Sequence, residues 1–571
     1  MQKVVSAAAM REIDRLTTER YATPSLLLME AAANASARAI ASHFSHDATG
    51  LRVLILCGRG NNGGDGAALA RVLWTRGALV EVILFGRVED ARGDARTNFE
   101  IARQLAAAAP AASATSPQIS FKECTDEKAW REFQAARQSY DVLVDALFGT
   151  GLRRPLENIY MSVVAHLAQI RATRSEGNDA RTLIVSLDLP SGLDADAAEP
   201  IGVAVHADLT VTFTAPKPAN VLPPASFFNG DLLIADIGSP AALVAEADSQ
   251  LFLTEADDAR AWLEATRYRP GSYKNTHGHA LVIAGSRQMS GAAVLCGNAA
   301  MRAGAGLVTI ATPASALPAV AARVMPEVMT AELAETIQES QAGTQDDEES
   351  ERVINETALE RALQLAARAD AIAIGPGLTS GEHIRRLVRA VVARRASPVV
   401  IDADGLNALA PWPADLHGTH ELPLILTPHP GEMRRLAGAK DADEDSLADR
   451  VKTAREFAIA HKVILVLKGA RTLIAAPDGR VAINPTGNAG TGTAGAGDTL
   501  TGIITAFVAQ SRGALKDKAD AFDTTLAAVY VAGLASDLAA QELGMRAMVA
   551  SDIGKYLGAA VCALDAAGEK P

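Results

Sequence analysis

The sequence contains few aromatic residues, few cysteines and no long hydrophobic run, and each shortage excludes a class of protein. Aromatic residues make up 4% of the 571 residues, and the four cysteines, Cys57, Cys124, Cys296 and Cys562, show no CxxC or Cys/His metal spacing. A disulfide framework and a zinc site are therefore excluded, and we predict that the cysteines are reduced core residues. There is no signal-peptide pattern and no apolar run of about eighteen residues, the length that spans a bilayer, so we expect a cytoplasmic protein.

Positive charge is also scarce, since 54 Lys and Arg residues stand against 67 Asp and Glu residues and the formal net charge is −13. A nonspecific nucleic-acid binder needs a basic face, so nucleic acid is not an expected partner. What the chain does contain is 49% hydrophobic residues and 45 glycines, a composition typical of a globular enzyme. Because a chain of 571 residues is longer than a single hydrophobic core usually accommodates, we predict two domains.

One small-residue stretch, residues 484–502, dominates the C-terminal half. It reads NPTGNAGTGTAGAGDTLTG and contains six glycines and one acid, Asp498. A strand is predicted before it and an apolar helix after it, so Gly495 to Asp498 should form the first turn of that helix. Free backbone N–H groups and the helix dipole would bind an anion there. Since like charges repel, Asp498 is not expected to bind the anion, and we predict that it takes up a proton or contacts a hydroxyl beside it. The alternative is a tight strand-to-helix turn with an N-capping Asp.

Four other predicted strands of this half, 370–374, 398–402, 424–427 and 463–467, end in turns that carry polar residues. The turns read GPGL, DADGLN, TPHPGE and KGART. The carboxyl ends of parallel strands meet at one sheet edge, where ligands bind. Lys468 follows a strand and precedes a glycine, so it is a candidate phosphate contact. A lone His429 would more often be structural, but its TPHPGE context favours a role in the site.

The N-terminal half has its own glycine loop. The sequence GRGNNGGDG follows the predicted strand 51–57, and a helix is predicted from about Ala67. Its GxGxxG spacing suggests a dinucleotide fold, but the next strand, 79–85, does not end in a ribose-binding acid, so we favour a different nucleotide loop. Further strands over 141–146, 182–188 and 207–213 alternate with helical stretches, which predicts a doubly wound parallel sheet.

Two acids of this half, Asp145 and Asp188, stand at strand ends and are followed by glycine-bearing turns. Together with the glycine loop they predict a ligand site at one sheet edge. The alternative is that Asp188 only shapes an Asp-x-Pro-Ser-Gly turn. Lys217 is a candidate contact for an acid or a phosphate, and the alternative is a solvated loop lysine.

The pattern of strands and helices weakens between residues 238 and 270. We therefore predict domains over residues 1–240 and 255–571. Residues 1–45 are predicted to be helical. The acidic, Gln/Ser-rich stretch 338–352 predicts a solvated insertion loop.

These motifs resemble those of known families. The GAGD turn resembles the ribokinase-like superfamily, and NPTGNAG…GAGDTLTG is similar to the ADP- or ATP-dependent NAD(P)H-hydrate dehydratases. NNGGDG, VDALFGTG and DLPSG, in that order, resemble the NAD(P)H-hydrate epimerases. Nearly the whole chain resembles the bifunctional NAD(P)H-hydrate repair enzymes. The resemblance implies an α/β protein with an N-terminal Rossmann-like doubly wound parallel sheet and a C-terminal ribokinase-like α/β/α sandwich.

The resemblance also implies residue roles. In the dehydratase half Asp498 would deprotonate a hydroxyl, and the residues lining the hydrate or nucleotide site would be Ala292, Gly377, His429, Lys468, Gly469, Ala470, Arg471, Thr472 and Gly497. In the epimerase half Asp188 would be catalytic, and the hydrate contacts would be Asn61, Asn62, Gly63, Gly64, Asp65, Gly149, Thr150, Gly151, Leu152, Arg153, Arg154 and Pro155. The implied potassium ligands are Asn62, Asp145 and Ser191, and oxygen ligands of mixed charge suit such a cation.

The implied function is metabolite repair. The N-terminal half would interconvert R and S hydrates of NADH and NADPH (NADHX and NADPHX), with K⁺ bound. The C-terminal half would dehydrate the S hydrate to NAD(P)H at the expense of ADP, with Mg²⁺ on the nucleotide phosphates and AMP and phosphate as products. We expect a homo-oligomer with no membrane partner. The alternative is a ribokinase-like small-molecule kinase fused to a non-catalytic nucleotide-binding module, and ADP against ATP as donor stays open.

Overall fold

The computed structural model describes residues 1–108, 118–135, 139–175, 182–338, 351–438 and 449–568. The chain divides into two compact units, Gln2–Ser249 and Gln250–Pro571, with Met1 grouped with the second. This division falls between the predicted domain limits of 240 and 255. Both units are built of alternating strands and helices, which confirms the predicted α/β class.

The N-terminal unit contains a parallel sheet of seven strands in the order β4-β3-β2-β5-β6-β7-β8. The order reverses between β2 and β5, which is the switch point of a doubly wound sheet and confirms the Rossmann-like prediction. The strands of this unit, including the short β1, are β1 (Gln2–Lys3), β2 (Arg52–Cys57), β3 (Leu79–Leu84), β4 (Ile119–Glu123), β5 (Val142–Ala146), β6 (Leu183–Leu187), β7 (Leu209–Phe213) and β8 (Asp231–Ala235).

Helices cover both faces of this sheet. Side chains alternate along β2, so that Val53 and Ile55 pack into one apolar cluster and Leu54 and Leu56 into another. The helices are α1 (Ala7–Tyr21), α2 (Ser25–Ser42), α3 (Asn61–Thr75), α4 (Gly93–Ala108), α5 (Glu127–Ala135), α6 (Ile159–Ser175), α7 (Pro218–Val221) and α8 (Ala241–Glu246). Each face of the sheet therefore has a hydrophobic core of its own.

Helix α3 begins at Asn61, so the prediction that it starts at about Ala67 is wrong. Close packing explains the early start. A Cβ on Gly63 would lie 1.8 Å from the carbonyl oxygen of Gly58, and one on Gly64 would meet α4 at 2.7 Å. The glycines therefore allow a helical turn to press against neighbouring backbone, and this packing outweighs their low helix propensity. Strands β4 and β8 were also not predicted.

The sheet of the C-terminal unit has the order β9-β20-β19-β18-β17-β16-β15-β10-β11-β12. Neighbours from β12 to β18 are parallel, whereas β19 is antiparallel to both of its neighbours. The strands are β9 (Leu251–Leu253), β10 (His279–Ile283), β11 (Leu307–Pro313), β12 (Met329–Leu333), β13 (Glu335–Gln338), β14 (Glu351–Ile354), β15 (Ala371–Ile374), β16 (Val399–Ile401), β17 (Leu424–Leu426), β18 (Ile464–Leu467), β19 (Leu473–Ala475) and β20 (Val481–Ile483).

Helices α10, α17, α18 and α19 share one apolar cluster with the sheet of this unit. Strands β13 and β14 form a separate antiparallel pair, and residues 339–350 of the predicted insertion loop lie outside the described residues. The helices are α9 (Ala256–Ala265), α10 (Ser290–Arg302), α11 (Leu317–Ala321), α12 (Glu356–Ala366), α13 (Glu382–Ala393), α14 (Asp404–Ala408), α15 (Pro430–Leu436), α16 (Arg450–His461), α17 (Ala496–Leu515), α18 (Ala521–Leu543) and α19 (Ala550–Gly568).

Cys57, Cys124 and Cys296 are buried free thiols, which confirms the predicted core positions. Cys562 is exposed, so the prediction of a core position is wrong for this residue. Of the helices in the described part of the chain, none has the length and apolar character needed to cross a lipid bilayer.

Candidate active sites

A cavity of about 540 Å³ in the N-terminal unit lies at the carboxyl edge of the sheet. Helix α1 contributes a wall that the sequence analysis did not anticipate, formed by Met10, Arg11 and Asp14. The predicted site residues that line the cavity are Asn61, Asn62, Asp65, Gly149, Thr150, Gly151 and Asp188. The structure thus brings the glycine loop, the loop after β5 and the end of β6 to one place.

Other predicted contacts do not line the cavity. Gly63 and Gly64 pack against backbone, Leu152 is buried, and Arg153 forms ion pairs of 2.9 and 2.7 Å with Asp194 and Asp196. Arg154 and Pro155 are exposed. These residues support the loop or lie at its outer side.

Asp188 is paired with a buried lysine. Its Oδ1 accepts hydrogen bonds from Lys217 Nζ at 2.6 Å and Thr212 Oγ1 at 3.3 Å, and its Oδ2 accepts one from Thr150 N at 3.2 Å. Lys217 is 1% exposed and also donates to Thr212 Oγ1 and the Phe213 carbonyl. Each ammonium hydrogen therefore has an acceptor, and the alternative of a solvated loop lysine is wrong.

Two further carboxyl groups line the same cavity. Burial raises the pKa of Asp65 well above its usual range, and the charges of Asp188 and Asp14 add to this while Lys217 opposes it. Burial also raises the pKa of Asp14, to about 6, with Lys217 opposing and Asp188 adding. No donor among the described residues reaches Asp14 Oδ1, which is buried. The sequence analysis missed Asp14 because a single acid on an amphipathic helix belongs to no motif.

The predicted potassium ligands differ in how free their oxygen atoms are. Asp145 is fully buried, and its carboxylate accepts hydrogen bonds from the backbone and hydroxyl of Ser191, from Ser186 Oγ and from Leu147 N. Burial raises the pKa of Asp145 against the effect of these bonds. The amide of Asn62 is buried with neither its oxygen nor its nitrogen bonded to the described residues. Asn62 Oδ1 therefore has free lone pairs, whereas the Asp145 carboxylate has none.

In the C-terminal unit, the GAGD stretch forms the start of α17. Gly495 caps the helix with a φ of +87°, and a Cβ there would lie 2.4 Å from Leu295 Cδ1, so both conformation and space require glycine. The amides of the first turn have no partners within the helix. Asp498 lies in that turn, and burial raises its pKa to about 6, with Asp402 adding and Lys468 opposing.

Lys468 connects this turn to two strand ends. Its Nζ lies 2.7 Å from Asp402 Oδ1 and 3.8 Å from Glu432 Oε2. A Cβ on Gly497 would be 3.3 Å from the same ammonium. Asp402 also accepts a 2.8 Å hydrogen bond from Thr501 Oγ1. Although burial acts to raise the pKa of Asp402, Lys468 and the hydrogen bonds outweigh it and the pKa is lowered.

His429 caps helix α15. Its Nδ1 accepts hydrogen bonds from Gly431 N at 3.0 Å and Glu432 N at 3.4 Å, while Glu432 Oε2 accepts one from His429 N at 2.8 Å. The buried Glu432 thus connects His429 to Lys468, and the imidazole is left half exposed.

The remaining predicted residues of this unit form two groups. A Cβ on Gly377 would lie 2.9 Å from Ala292 Cβ, so these two residues are adjacent. In the loop 468–472, Thr472 Oγ1 donates to the Gly469 carbonyl and the Ala470 carbonyl accepts from Arg450. Burial lowers the pKa of Arg471, which donates to the Pro485 carbonyl at 2.9 Å.

Within the described ranges, no group of three His, Cys, Asp or Glu residues is arranged to hold a metal ion. A second cavity, of about 750 Å³, lies in the C-terminal unit and is lined in part by Thr379, Asp404, Asn407 and Arg435.

Comparison with known proteins defines the class of each unit. A family described as NAD(P)H-hydrate dehydratase matches residues 280–558, and a family described as YjeF-related protein N-terminus matches residues 25–219. The chain is therefore a fusion of an NAD(P)H-hydrate dehydratase with a YjeF-related N-terminal unit.

Similar full-length proteins give the particular family. The bifunctional NAD(P)H-hydrate repair enzyme Nnr of Moorella thermoacetica is 40% identical over 556 residues, which cover 97% of this chain and 96% of that protein. The Escherichia coli enzyme of the same name is 32% identical over 501 residues, covering 88% of this chain and 83% of that protein. The chain belongs to the family of bifunctional NAD(P)H-hydrate repair enzymes. This confirms the predicted pair of isomerase and lyase activities over the alternative of a kinase with a non-catalytic module.

A solved structure of an ADP/ATP-dependent NAD(P)H-hydrate dehydratase from Bacillus subtilis, co-crystallised with ATP and Mg²⁺, is 32% identical. The match covers 55% of this chain and 98% of the Bacillus subtilis chain, with a TM-score of 0.45.

Proposed function

We propose that the C-terminal unit transfers the terminal phosphoryl group of ADP to the hydroxyl of the S hydrate, releasing AMP. The C–O bond then breaks and phosphate leaves with its electron pair. The ring loses a proton, and the dihydronicotinamide is restored. Phosphate is a far better leaving group than hydroxide. One observation carries the proposal: a partly buried acid, Asp498, lies in the donor-rich first turn of α17 beside Lys468.

In this mechanism Asp498 accepts the proton of the attacking hydroxyl. A carboxyl group whose pKa is raised to about 6 is mostly ionised at neutral pH and is a stronger base than an ordinary aspartate. The amides of the first turn stabilise charge on the transferred group. Lys468 to Thr472 and Gly497 hold the nucleotide, and Ala292, Gly377 and His429 line the hydrate site.

Magnesium would be held chiefly by the nucleotide phosphates. The carboxylates of Asp402 and Glu432 are both within 3.8 Å of Lys468 Nζ, so their charge is already partly balanced. Mg²⁺ commonly takes one or two carboxylates together with phosphates and water. Glu432 suits that role better than Asp402, because each Asp402 oxygen already accepts a short hydrogen bond, from Lys468 or from Thr501. When bound, the ion supplies positive charge to the transferring phosphoryl group.

The N-terminal unit is proposed to interconvert the R and S hydrates in the 540 Å³ cavity. Asp188, held by Lys217, is the catalytic carboxylate. The residues of the two loops that line the cavity, Asn61, Asn62, Asp65 and Gly149 to Gly151, bind the dinucleotide. A potassium ion is proposed at Asn62 Oδ1, whose lone pairs are free. Ser191 Oγ is the second ligand, because it donates to Asp145 and accepts from Phe148 N and so keeps one lone pair. Asp145 would supply charge rather than a free lone pair.

The test is incubation of a mixed R/S hydrate with ADP while the absorbance of the restored dihydronicotinamide is followed. Wild-type enzyme should consume both epimers and form one AMP for each NAD(P)H. Asp188→Ala should consume the S epimer and leave the R epimer to slow spontaneous interconversion. Accumulation of a stable phosphoester in place of NAD(P)H would contradict the proposed elimination.

A further inference from the structure

The cavity of the N-terminal unit contains a carboxyl group with no assigned task. Asp14 lies on α1, one helical turn beyond Met10, and the same face of the helix brings Met10, Arg11 and Asp14 to the cavity wall. Its Oδ1 is buried, and no donor of the described residues bonds to it. A carboxylate oxygen buried without a donor is costly in the charged form, so this position favours a group that readily takes up a proton.

Asp188 is in the opposite situation in the same cavity. It accepts hydrogen bonds from Lys217 Nζ at 2.6 Å, from Thr212 Oγ1 and from the Thr150 amide. These donors stabilise the charged carboxylate. Two carboxyl groups in one cavity, one whose charge is stabilised by three donors and one that readily takes up a proton, are the arrangement of an acid–base pair.

Inversion of the hydrated carbon needs both an acid and a base. The hydroxyl is carried by a ring carbon bonded to the ring nitrogen, and it can leave only as water because hydroxide is a poor leaving group. The nitrogen lone pair then forms a C=N⁺ bond and the carbon becomes planar. Water that adds to the other face must lose a proton before the alcohol is complete.

We propose that Asp14 is the proton donor of the epimerisation and that the lysine-paired Asp188 is its acceptor. Asp14 gives its proton to the departing hydroxyl, the C–O bond breaks and water forms. Water adds to the opposite face, forms the new C–O bond and gives its extra proton to Asp188. A proton passes from Asp188 to Asp14 through solvent and closes the cycle with no oxidation or reduction. The inference rests on the N-terminal unit being the epimerase site proposed above.

The raised pKa of Asp14, about 6, agrees with this role, because the group can then be present in both protonation states near neutrality. Burial also raises the pKa of Asp65 in the same cavity, and the charges of Asp188 and Asp14 add to this. The other titratable or charged groups that line the cavity with Asp14 are Arg11, Arg59, Asp65, Asp94, Tyr160, Asp188 and Lys217.

The experiment uses the full-length enzyme and purified R hydrate with ADP, so that the dehydratase half reports each S hydrate formed. Asp14→Asn should lower kcat for R hydrate by at least about 100-fold, the usual scale of a lost acid or base, with little change in KM. The rate with S hydrate should be unchanged. Glu12→Gln, an exposed acid on the same helix, is the matched control and should behave as wild type.

Two further readouts separate proton donation from a structural role. The wild-type epimerisation rate, corrected for the spontaneous reaction, should rise as pH falls toward 6, and this rise should vanish in Asp14→Asn and return partly in Asp14→Glu. The thermal midpoint of Asp14→Asn should not fall, because an unpaired buried carboxyl is replaced by a neutral group of the same shape.

The outcomes are distinguishable. If wild-type enzyme does not convert R to S hydrate, the proposed epimerase site itself is wrong. If wild type converts it and Asp14→Asn has normal kcat, or alters only KM, then Asp14 is not the donor. If Asp14→Asn fails to fold, the test uses Asp14→Glu, whose longer side chain displaces the carboxyl group. A rate and a pH profile equal to those of the wild type in Asp14→Glu would contradict the inference.

Discussion

The two candidate sites of this protein are built on the same electrostatic plan, but their lysines are enclosed to different degrees. In each, a lysine that follows one strand contacts an aspartate that follows another strand of the same sheet, Lys217 with Asp188 at 2.6 Å and Lys468 with Asp402 at 2.7 Å. In each, a further aspartate nearby has a pKa raised to about 6 by burial. The lysine side chain is 1% exposed in the N-terminal unit and 20% exposed in the C-terminal unit.

This difference agrees with the chemistry proposed for each unit. A lysine that must meet a nucleotide phosphate has to retain some access, and Lys468 retains it while touching two carboxylates. Lys217 has its three hydrogens bonded within the protein, so its role is to hold Asp188 charged and in place. Under the proposed mechanisms, the pair in the N-terminal unit would position a reacting group, and the pair in the C-terminal unit would contact the ligand.

The largest expected effect comes from Asp498→Asn. Loss of the base should lower kcat for dehydration by about 10²–10⁴-fold, while nucleotide affinity changes little because the anion-binding amides are backbone. R-to-S conversion should continue in this variant, which NMR of the hydrate mixture would measure. Asp517→Asn, an exposed acid after α17, is the control. Near-normal dehydration by Asp498→Asn would remove Asp498 from the mechanism.

Replacing each of the two lysines should lower the unfolding free energy of its own unit, and the two losses should differ in size. Lys217→Met leaves a buried carboxylate unpaired and should cost the N-terminal unit about 3–5 kcal/mol of unfolding free energy. Lys468→Met should cost the C-terminal unit less, about 1.5–3 kcal/mol, because the lysine is partly solvated and Asp402 keeps Thr501. Hydrogen exchange followed as a function of urea concentration measures the unfolding free energy of each unit separately.

Lys122→Met is the control for this pair, because Lys122 forms an ion pair of 2.7 Å with Glu81 but is 56% exposed. Its loss should cost at most about 1 kcal/mol. Equal costs for Lys217→Met and Lys122→Met would show that enclosure of the pair does not matter. Lys468→Met should also raise KM for ADP more than KM for the hydrate, and an unchanged KM for ADP would show that Lys468 does not contact the nucleotide.

The pH dependence of dehydration should report Asp498. Because the base must be ionised, kcat/KM should decrease as pH falls through about 6, with a slope of one on a logarithmic scale. Lys468 lowers the pKa of Asp498, so in Lys468→Met this decrease of kcat/KM, the acidic limb of the pH profile, should begin at higher pH. A limb that stays in place after the substitution would mean that another group titrates.

The smallest effects are expected from two glycines. A Cβ on Gly149 would lie 2.7 Å from Asp188 Oδ2, whereas one on Gly497 would lie 3.3 Å from Lys468 Nζ. Gly149→Ala must displace Asp188 and should lower epimerisation about tenfold, while Gly497→Ala should raise KM for ADP only a few-fold, on the scale of about 1 kcal/mol per crowded contact. Gly151→Ala and Gly558→Ala, where no atom lies within 4 Å, are the controls. Equal effects of Gly149→Ala and Gly151→Ala would contradict the crowding argument.

The sequence alone was sufficient for the family, the α/β class and most strand ends of the two sites. The reason is physical: a strand that ends in Gly-rich, acid-bearing turns is a local feature, and its glycines are required by backbone conformation and close approach, as at Gly495. Parallel strands then bring such turns to one sheet edge wherever they lie in the chain. Asp498 could be found because it stands inside such a turn.

The tertiary structure alone decided which groups pair, how deeply they are buried and what else enters the cavity. The helical start at Asn61 depends on backbone packed from other elements, and the burial of Lys217 depends on Asp188, Thr212 and the Phe213 carbonyl. Asp14 has an ordinary position on an amphipathic helix, and only the fold places it in the cavity with Asp188. Burial and pairing are sums over residues distant in sequence, so a local pattern carries no record of them.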